Sequence, residues 1–575
     1  MINKWNCLTL TPEQTALRDP LAKDLGIGQT LAQLLIQRGI DTPEKGEKFF
    51  HPELKELHDP FLMKDMDKAV TRLNAALRDN ERILVYGDYD VDGTTAVALV
   101  YKYLREFTIN IGYFIPDRYG EGYGISFKSI DHASEGGYDL VIALDCGIKA
   151  VDKIEYAKTK NIEFIICDHH VPDDVLPDAV AVLDAKRLDN TYPYDQLSGC
   201  GVGYKFMQAF AINNGIKQTE LIALLDLVAV SIASDIVPIT GENRILAFHG
   251  LKRLNSNPCV GLKSIIDSCN LTGKEITMSD IVFKIGPRIN ASGRIQTGNE
   301  SVELLTTKDL AVARRKCDDI NQYNQTRKEM DKTMTEEANS ILQSCTNLAD
   351  RKGIVVYNPD WHKGVIGIVA SRLTEEYNRP AIVLTRTDTL ATGSARSVLG
   401  FDVYKAIDHC RDLLESFGGH TYAAGLSMKE ENVPVFQKRF EDYVANNILA
   451  EQMIPTIDVD AEISFQEITP KFIRELKKFN PFGPENPKPI FVTRNVIDFG
   501  TSRLFGREQN HLKLELVDSY SQSVMNGIAF CQNEHINHIK SRNRFDIAYS
   551  IEENTFNGGS FIQLMIKEIQ VNQTT

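Results

Sequence analysis

From Ile83 onward, short unbroken apolar runs alternate with helical stretches, and this alternation narrows the fold more than any other feature of the chain. The runs are ILVYG (83–87), IGYFIP (111–116), DLVIAL (139–144), EFIIC (163–167) and AVAVL (179–183), and TTAVALVYKYLREF reads as a helix between the first two. A strand with one wet face alternates polar and apolar residues. A strand covered on both faces does not, and the crossover helices of a parallel sheet cover both. The pattern therefore predicts βαβ units and a mainly parallel sheet, an α/β fold.

The flanking segments read differently. Residues 10–80 look helical and polar-amphipathic, with turn signals at Thr42-Pro43 and His51-Pro52. At about 308–345, Leu310, Ala313, Cys317, Ile320, Met330, Met334, Ala338, Ile341 and Leu342 fall mostly at three- and four-residue spacing, which predicts one long helix bridging two domains. A second α/β pattern follows, with a strand at GIVVY (353–357), a helix at about 364–377 and a strand at AIVLT (381–385). NPFGPENPKPIF (480–491) is a loop. Beyond it the period drops to two, as in Phe545, Ile547, Tyr549 and Ile551, predicting a small β-barrel. A chain of 575 residues holds about three to five domains, and the expected divisions are 1–75 (N-terminal helical), 76–305 (core), 306–347 (connecting helix), 348–450 (smaller α/β) and 455–575 (barrel).

Composition excludes several classes. The N-terminus, MINKWNCLTLTPEQ, lacks the basic-then-apolar order of a secretory signal. The most apolar window, Leu221 to Val237, is interrupted by Asp226 and Asp235 and suits a buried helix better than a membrane span. Ten scattered cysteines without a CxxC pair argue against a disulfide framework or structural zinc and fit a reducing cytoplasm. A net charge of −14 argues against a protein that coats nucleic acid, yet permits an enzyme with a local basic groove.

The chemistry concentrates at strand ends. GDYDVDG (87–93) follows the first run, LDCG ends the third and CDHH ends the fourth, so Asp88, Asp90, Asp92, Asp145, Asp168, His169 and His170 should gather at the carboxyl edge of one sheet. If the first strand persisted, Asp88, Asp90 and Asp92 would project on one side. Any one Asp after a strand can simply cap the next helix. Together they would repel one another and raise each other's pKa unless divalent cations sat among them. Asp and His ligands without thiolate suit manganese or magnesium, and shared carboxylates suggest two ions about 4 Å apart, as used for attack on phosphate esters. Competing phosphate chemistries leave no mark: the sequence has no GxxxxGK[ST] loop, no GxGxxG after a strand and no GxSxG elbow.

These residues resemble the DHH phosphoesterase superfamily, whose name is the triplet Asp168-His169-His170. DYDVDG (88–93), PDRYGEGYG (116–124), LDCG (144–147), CDHHVP (167–172), SDIVP (234–238), GPRINASGR (286–294), FGGHTYAAG (417–425) and PFGPENPKPIF (481–491) occur in the order seen in RecJ-like exonucleases. The resemblance implies a metal-dependent exonuclease acting on single-stranded DNA from the 5′ end in repair and recombination. It also implies a smaller DHH-associated domain and an OB-type barrel. Two Mn2+ or Mg2+ ions would be held by Asp88, Asp90, Asp145, His169 and Asp235, with Asp168 and His170 in or beside that shell and Asp92 serving the metal or the turn. Arg118, Arg288, Asn290, Arg294, Ser394 and Arg396 would line the substrate path, and Gly418, Gly419 and His420 would meet phosphates. Arg494, Arg503, Phe505 and Arg507 are the barrel's candidate contacts. Single-strand-binding protein and a helicase are the implied protein partners. Two departures stand out. The third motif reads DCG where the family more often has DNG, placing Cys146 beside the metals, and the chain ends soon after the barrel, without the further domain some relatives carry. A phosphodiesterase of short oligonucleotides or cyclic dinucleotides, and a noncatalytic replication scaffold, are the rival readings.

Overall fold

The computed structural model describes residues 3–344, 350–556 and 559–571; the predicted end of the connecting helix and the start of the next domain, at 345–349, lie outside the described residues. The chain divides into two compact units, residues 57–237 with 241–454, and residues 1–56 with 238–240 and 455–575.

In the larger unit the five apolar runs form one parallel sheet. Its strands are Ile111–Phe114, Ile83–Gly87, Leu140–Leu144, Glu163–Cys167 and Ala181–Leu183, in that spatial order. Gly87, Leu144, Cys167 and Leu183 share a register row, so the chain leaves four neighbouring strands at one edge. Val91–Leu104 and Gly199–Asn213 are almost wholly buried helices. A Cβ on Gly203 would come within 3.2 Å of Leu144 and 3.4 Å of Val100, so this glycine lets the second helix lie close on the sheet. The apolar window resolves into the buried helix Leu225–Ser234.

The long helix runs from Leu310 to Gln343, 34 residues and about 50 Å. Its early turns face the core domain, where Asn321 accepts from Arg288 Nε at 2.8 Å. Its later turns face the next domain: buried Asp331 accepts two bonds of 2.7 Å from Arg372, and Glu337 accepts from Trp361 Nε1 at 2.7 Å.

The domain after the helix carries a five-stranded sheet: Leu414–His420, Ala423–Lys429, Leu390–Arg396, Ala381–Thr387 and Ile354–Tyr357. Only the last pair is parallel. The antiparallel register places Arg396 opposite Ala423 and Ala423 opposite His420, and likewise Ser394, Gly425 and Gly418 in the next row of the same face.

The smaller unit is built around a closed barrel. Phe491–Asp498, Phe545–Phe556, Gly559–Val571, Val524–Ala529 and His511–Asp518 pair in sequence, and His511–Asp518 returns to Phe491–Asp498. Closure removes the sheet edges. The N-terminal residues join this unit: Lys4–Cys7 pairs in parallel with Thr456–Val459, a strand the helical reading of the N-terminus did not include. Phe49, Phe50 and Phe479 pack edge to face at 5.5–5.7 Å, each pair contributing about 0.5–1.5 kcal/mol beyond burial. Among the described residues, no helix is long and apolar enough to cross a membrane.

Candidate metal centre and phosphate site

The first strand stops at Gly87, so Asp88, Asp90 and Asp92 do not alternate along it as they would on a continuing strand. Asp90 instead caps the helix Val91–Leu104, its Oδ1 accepting from Gly93 N at 3.0 Å, and Asp92 lies in the first turn. The backbone here curls too tightly for any side chain at Gly93, where a Cβ would fall 2.4 Å from the Asp88 carbonyl oxygen.

His169 is the pivot. Its Nε2 lies 3.1 Å from Asp145 Oδ1 and 3.7 Å from both Asp92 Oδ2 and Asp235 Oδ2. Yet neither ring nitrogen makes a hydrogen bond, and Asp88 Oδ1 is buried without one. Buried polar atoms left in this way are strongly disfavoured. Neighbouring ligands of an octahedral ion with bonds of about 2.1 Å sit about 3 Å apart, which is the spacing of His169 Nε2 and Asp145 Oδ1, with the other two oxygens slightly farther out. Asp145, His169 and His170, and Asp92, His169 and Asp235, each offer ligand atoms within 4.8 Å of one another. The donor set, carboxylates and imidazoles without thiolate, fits manganese or magnesium.

The electrostatics agree. Burial, then the like charges of Asp92, Asp90, Asp235 and Asp168, pushes Asp145 well above the usual carboxylate range. Burial and then Asp90 do the same to Asp88. Burial and then Asp92 and Asp90 lift Asp235 to about 8.

Two members of the cluster have other work. Asp168 points back into the protein: burial opposes its charge, but bonds from His170 Nδ1 at 2.7 Å and Ile148 N at 2.9 Å hold it at about 2. It orients His170 and stands outside both ligand groups. Asp92 is gripped by Gly199 N at 2.7 Å, Cys200 N at 2.8 Å and Ser231 Oγ at 2.7 Å. The amides belong to the N-terminus of Gly199–Asn213, a favoured place for negative charge. Asp145 rests on the same helix end. It has φ of +59°, and a Cβ on Gly199 would strike its Cβ at 2.6 Å. Sequence reasoning missed Gly199 and Ser231; the run SGCGVG (198–203) was the available signal for the first. Cys146 packs among Tyr86, Ile125, Ile148 and Ile166, and burial pushes its thiol well above the ordinary range, so it is a neutral core residue outside both ligand groups.

Across the same unit lies a cationic cluster. Arg294 donates to the Gly364 carbonyl at 2.7 Å, and Tyr119 donates its hydroxyl to the Arg294 carbonyl. Arg118 lies over the Tyr89 ring at 4.6 Å. Arg396 donates to Ser394 Oγ at 3.0 Å and to the Ala395 carbonyl at 2.7 Å. Burial, then the like charges of Arg118, Arg327 and Arg396, lowers Arg294 to about 10. Burial and then Arg118 lower both Arg396 and His362. His362 and Gly364, in WHKG (361–364), were not singled out from the sequence. Gly364 must be small, since a Cβ would reach 2.4 Å from the Tyr119 hydroxyl. Arg118, Arg294, Ser394 and Arg396 are thus brought together. Arg288 is not: its guanidinium bonds Asn321 and the Lys284 carbonyl. Asn290 is half-buried on the same helix. Gly418, Gly419 and His420 lie on the exposed edge strand, with open space where a Gly418 side chain would be.

On the barrel, Arg494 is held by Glu462 and Asp546 at 3.0 and 2.9 Å. In the strand register Arg503 lies opposite Lys513 and Phe505 opposite His511, and Phe530 packs tilted or edge-on against both rings at 5.0–6.2 Å. Arg507 is exposed in the following turn.

Three family models match the chain: DHH family, N-terminal domain, over residues 82–232; DHHA1 domain over 350–446; and RecJ OB domain over 459–568. The chain is 35% identical, over 98% of its length and 70% of the relative's, to the single-stranded-DNA-specific exonuclease RecJ of Bacillus subtilis (strain 168). Among solved structures it resembles RecJ of Thermus thermophilus in complex with Mn2+, at TM-score 0.85 and 26% identity, covering 99% of this chain and 80% of that one. The Mg2+ complex of that protein matches at TM-score 0.79 and 25% identity, covering 99% and 79%.

Proposed function

The chain belongs to the RecJ family of single-stranded-DNA-specific exonucleases, and from that premise we propose how its own residues hold and cut a single strand. It is a hydrolase of phosphodiester bonds that depends on Mn2+ or Mg2+. The observation that carries the reading is the convergence of His169, whose ring nitrogens make no hydrogen bond, with Asp92, Asp145 and Asp235 at the sheet edge.

Asp88, Asp90, Asp145, His169 and Asp235 would hold the ions, with His170 completing the set. Bound there, two divalent ions supply Lewis acidity and a nucleophile from water. Asp92, tied to three donors, anchors the cluster to the helix end, and Asp168 fixes the imidazole of His170. Arg118, Arg294, Arg396 and Ser394 grip the phosphate at the strand's end. The guanidinium forks suit this task because each donates two hydrogen bonds in one plane. Gly418 and His420, on the same sheet face as Ser394 and Arg396, take a neighbouring phosphate, and the absent side chain at Gly418 lets the backbone approach it. Asn290 lines the path. Arg288 is the weakest of the expected contacts, because Asn321 already engages it. The enzyme works from the 5′ end and releases mononucleotides, in repair and recombination in the cytoplasm, where single-strand-binding protein and a helicase would supply its strand. The Arg503, Phe505, His511, Lys513 and Phe530 face gives the barrel its own basic and aromatic surface for stacking bases.

The test is digestion of single- and double-stranded DNA labelled at either end. Manganese or magnesium should support release of labelled mononucleotide from the 5′ end of single strands, and excess chelator should stop it. Undiminished cutting in chelator, or equal cutting of duplex, would overturn the reading.

A further inference from the structure

Asp235 closes the helix Leu225–Ser234, and the next residue, Ile236, has φ of +59°. Helices often end on a residue in this left-handed conformation, but glycine or asparagine usually supplies it, because a Cβ there crowds the backbone. For a β-branched residue the conformation is a genuine outlier. Burial does not offset the strain: Ile236 is 64% exposed, while Val237 beside it is buried. An isoleucine that strains its backbone while most of its surface stays in water gains little from burial, and such strain collects at functional sites.

Its surroundings supply an independent observation. Tyr123 is 53% exposed, donates its hydroxyl to the Asp145 carbonyl at 3.0 Å and sets its ring edge to His170 at 5.7 Å. Val171, 67% exposed, follows His170 directly. Three exposed apolar groups therefore each adjoin or touch a member of an otherwise polar cluster. A phosphodiester held at that cluster carries a nucleoside on either side, and the base and sugar faces are the apolar parts of the substrate.

We propose that Ile236, with Tyr123 and Val171, forms an apolar rim that packs on the nucleoside flanking the scissile phosphate, and that the left-handed turn at Ile236 exists to present its side chain. This rests on the exonuclease reading above; it concerns which part of the nucleotide is gripped.

The experiment uses the full chain with manganese, comparing wild type with Ile236→Asn, Ile236→Gly and Ile236→Val. Melting temperature is measured alongside hydrolysis of an intact oligonucleotide and of one abasic at the nucleotides flanking the cut. Asparagine accepts the left-handed turn, so Ile236→Asn should raise the melting temperature by about 2 °C while lowering kcat/KM on the intact strand roughly tenfold. Ile236→Gly should lose activity likewise. Valine keeps an apolar, β-branched side chain and should keep most of the activity without gaining stability. The wild type should cut the abasic strand more slowly than the intact one, and in Ile236→Asn that difference should vanish. A wild type that does not cut overturns the exonuclease reading and this inference with it. A wild type that cuts, beside Asn and Gly variants that cut equally well, overturns this inference alone. So does an Asn variant whose melting temperature falls, or an abasic penalty that persists in it.

Discussion

The acidic cluster at the sheet edge and the arginine cluster of the same unit both gather like charges, but they tolerate this in opposite ways. The arginines are partly satisfied in advance: Arg294 on the Gly364 carbonyl, Arg396 on Ser394 and Ala395, Arg118 on the Tyr89 ring. The acidic side leaves Asp88 Oδ1 and both nitrogens of His169 without hydrogen bonds and pushes Asp88, Asp145 and Asp235 toward the protonated form. A guanidinium keeps its charge under burial and can share carbonyls while it waits for an anion. A crowded carboxylate can only lose its charge or gain a cation. One site is preformed, and the other is completed by its ions.

The largest expected effect breaks the acidic side outright. Asp145→Ala or His169→Ala should reduce hydrolysis on the order of 10⁴-fold in steady-state assays with manganese. For Asp145→Ala, thermal stability in chelator should hold or rise, because a repelling carboxylate has gone. A large loss of stability without metal would mean that the cluster is structural.

Gly199→Ala tests the same side without touching a ligand. The new Cβ would displace Asp145, and a shift of about 1 Å in a catalytic group costs roughly 10²-fold in rate. Metal titration should show affinity weakened about 10–100-fold, as when a supporting residue of a metal site is lost. Unchanged metal affinity would show that the helix end can move aside.

On the basic side the effect should be smaller and read in salt. With Asp145→Ala as background, Arg396→Ala should weaken binding of a single strand about tenfold and make the slope of log affinity against log salt shallower by roughly 0.7, one phosphate contact. Arg396→Lys should rescue it only in part. Arg288→Ala should leave the slope alone and lower the melting temperature, since its partner is Asn321. The reverse result would exchange the roles of these two arginines.

The smallest effect sharpens the contrast through pH. Folded and metal-free, Asp235 holds its proton up to about 8, against about 3.9 when unfolded. The folded state binds the extra proton between those values, so this contribution is full below the unfolded value and is lost as pH rises through about 8. In chelator the melting temperature should fall by a few degrees between about pH 5 and about pH 8. The rise caused by manganese should be larger at the higher pH, because the ligands must first shed protons. A melting temperature in chelator that is flat with pH would mean that the carboxylates are already satisfied.

The parallel sheet, the long helix and the edge where Asp88, Asp145 and His169 meet were legible in the sequence. Strands buried on both faces write continuous apolar runs, and a parallel sheet delivers every strand end to one side. The candidate donors at 88–92, 145 and 168–170 follow those runs directly, whereas Asp235 closes a helix. Tertiary structure alone decided how each group is used. Asp168 and His169 are adjacent in the chain, yet one is spent on the amides of Ile148, His169 and His170 and the other faces Asp92, Asp145 and Asp235, which come from elements distant in sequence. Arg288 and Arg294 sit in one motif on one helix, yet face Asn321 and Gly364 respectively. Ser231 and His362 carry no local signal of the carboxylate and the guanidinium they meet. Periodicity records which face of an element is dry; only packing records what the other face touches.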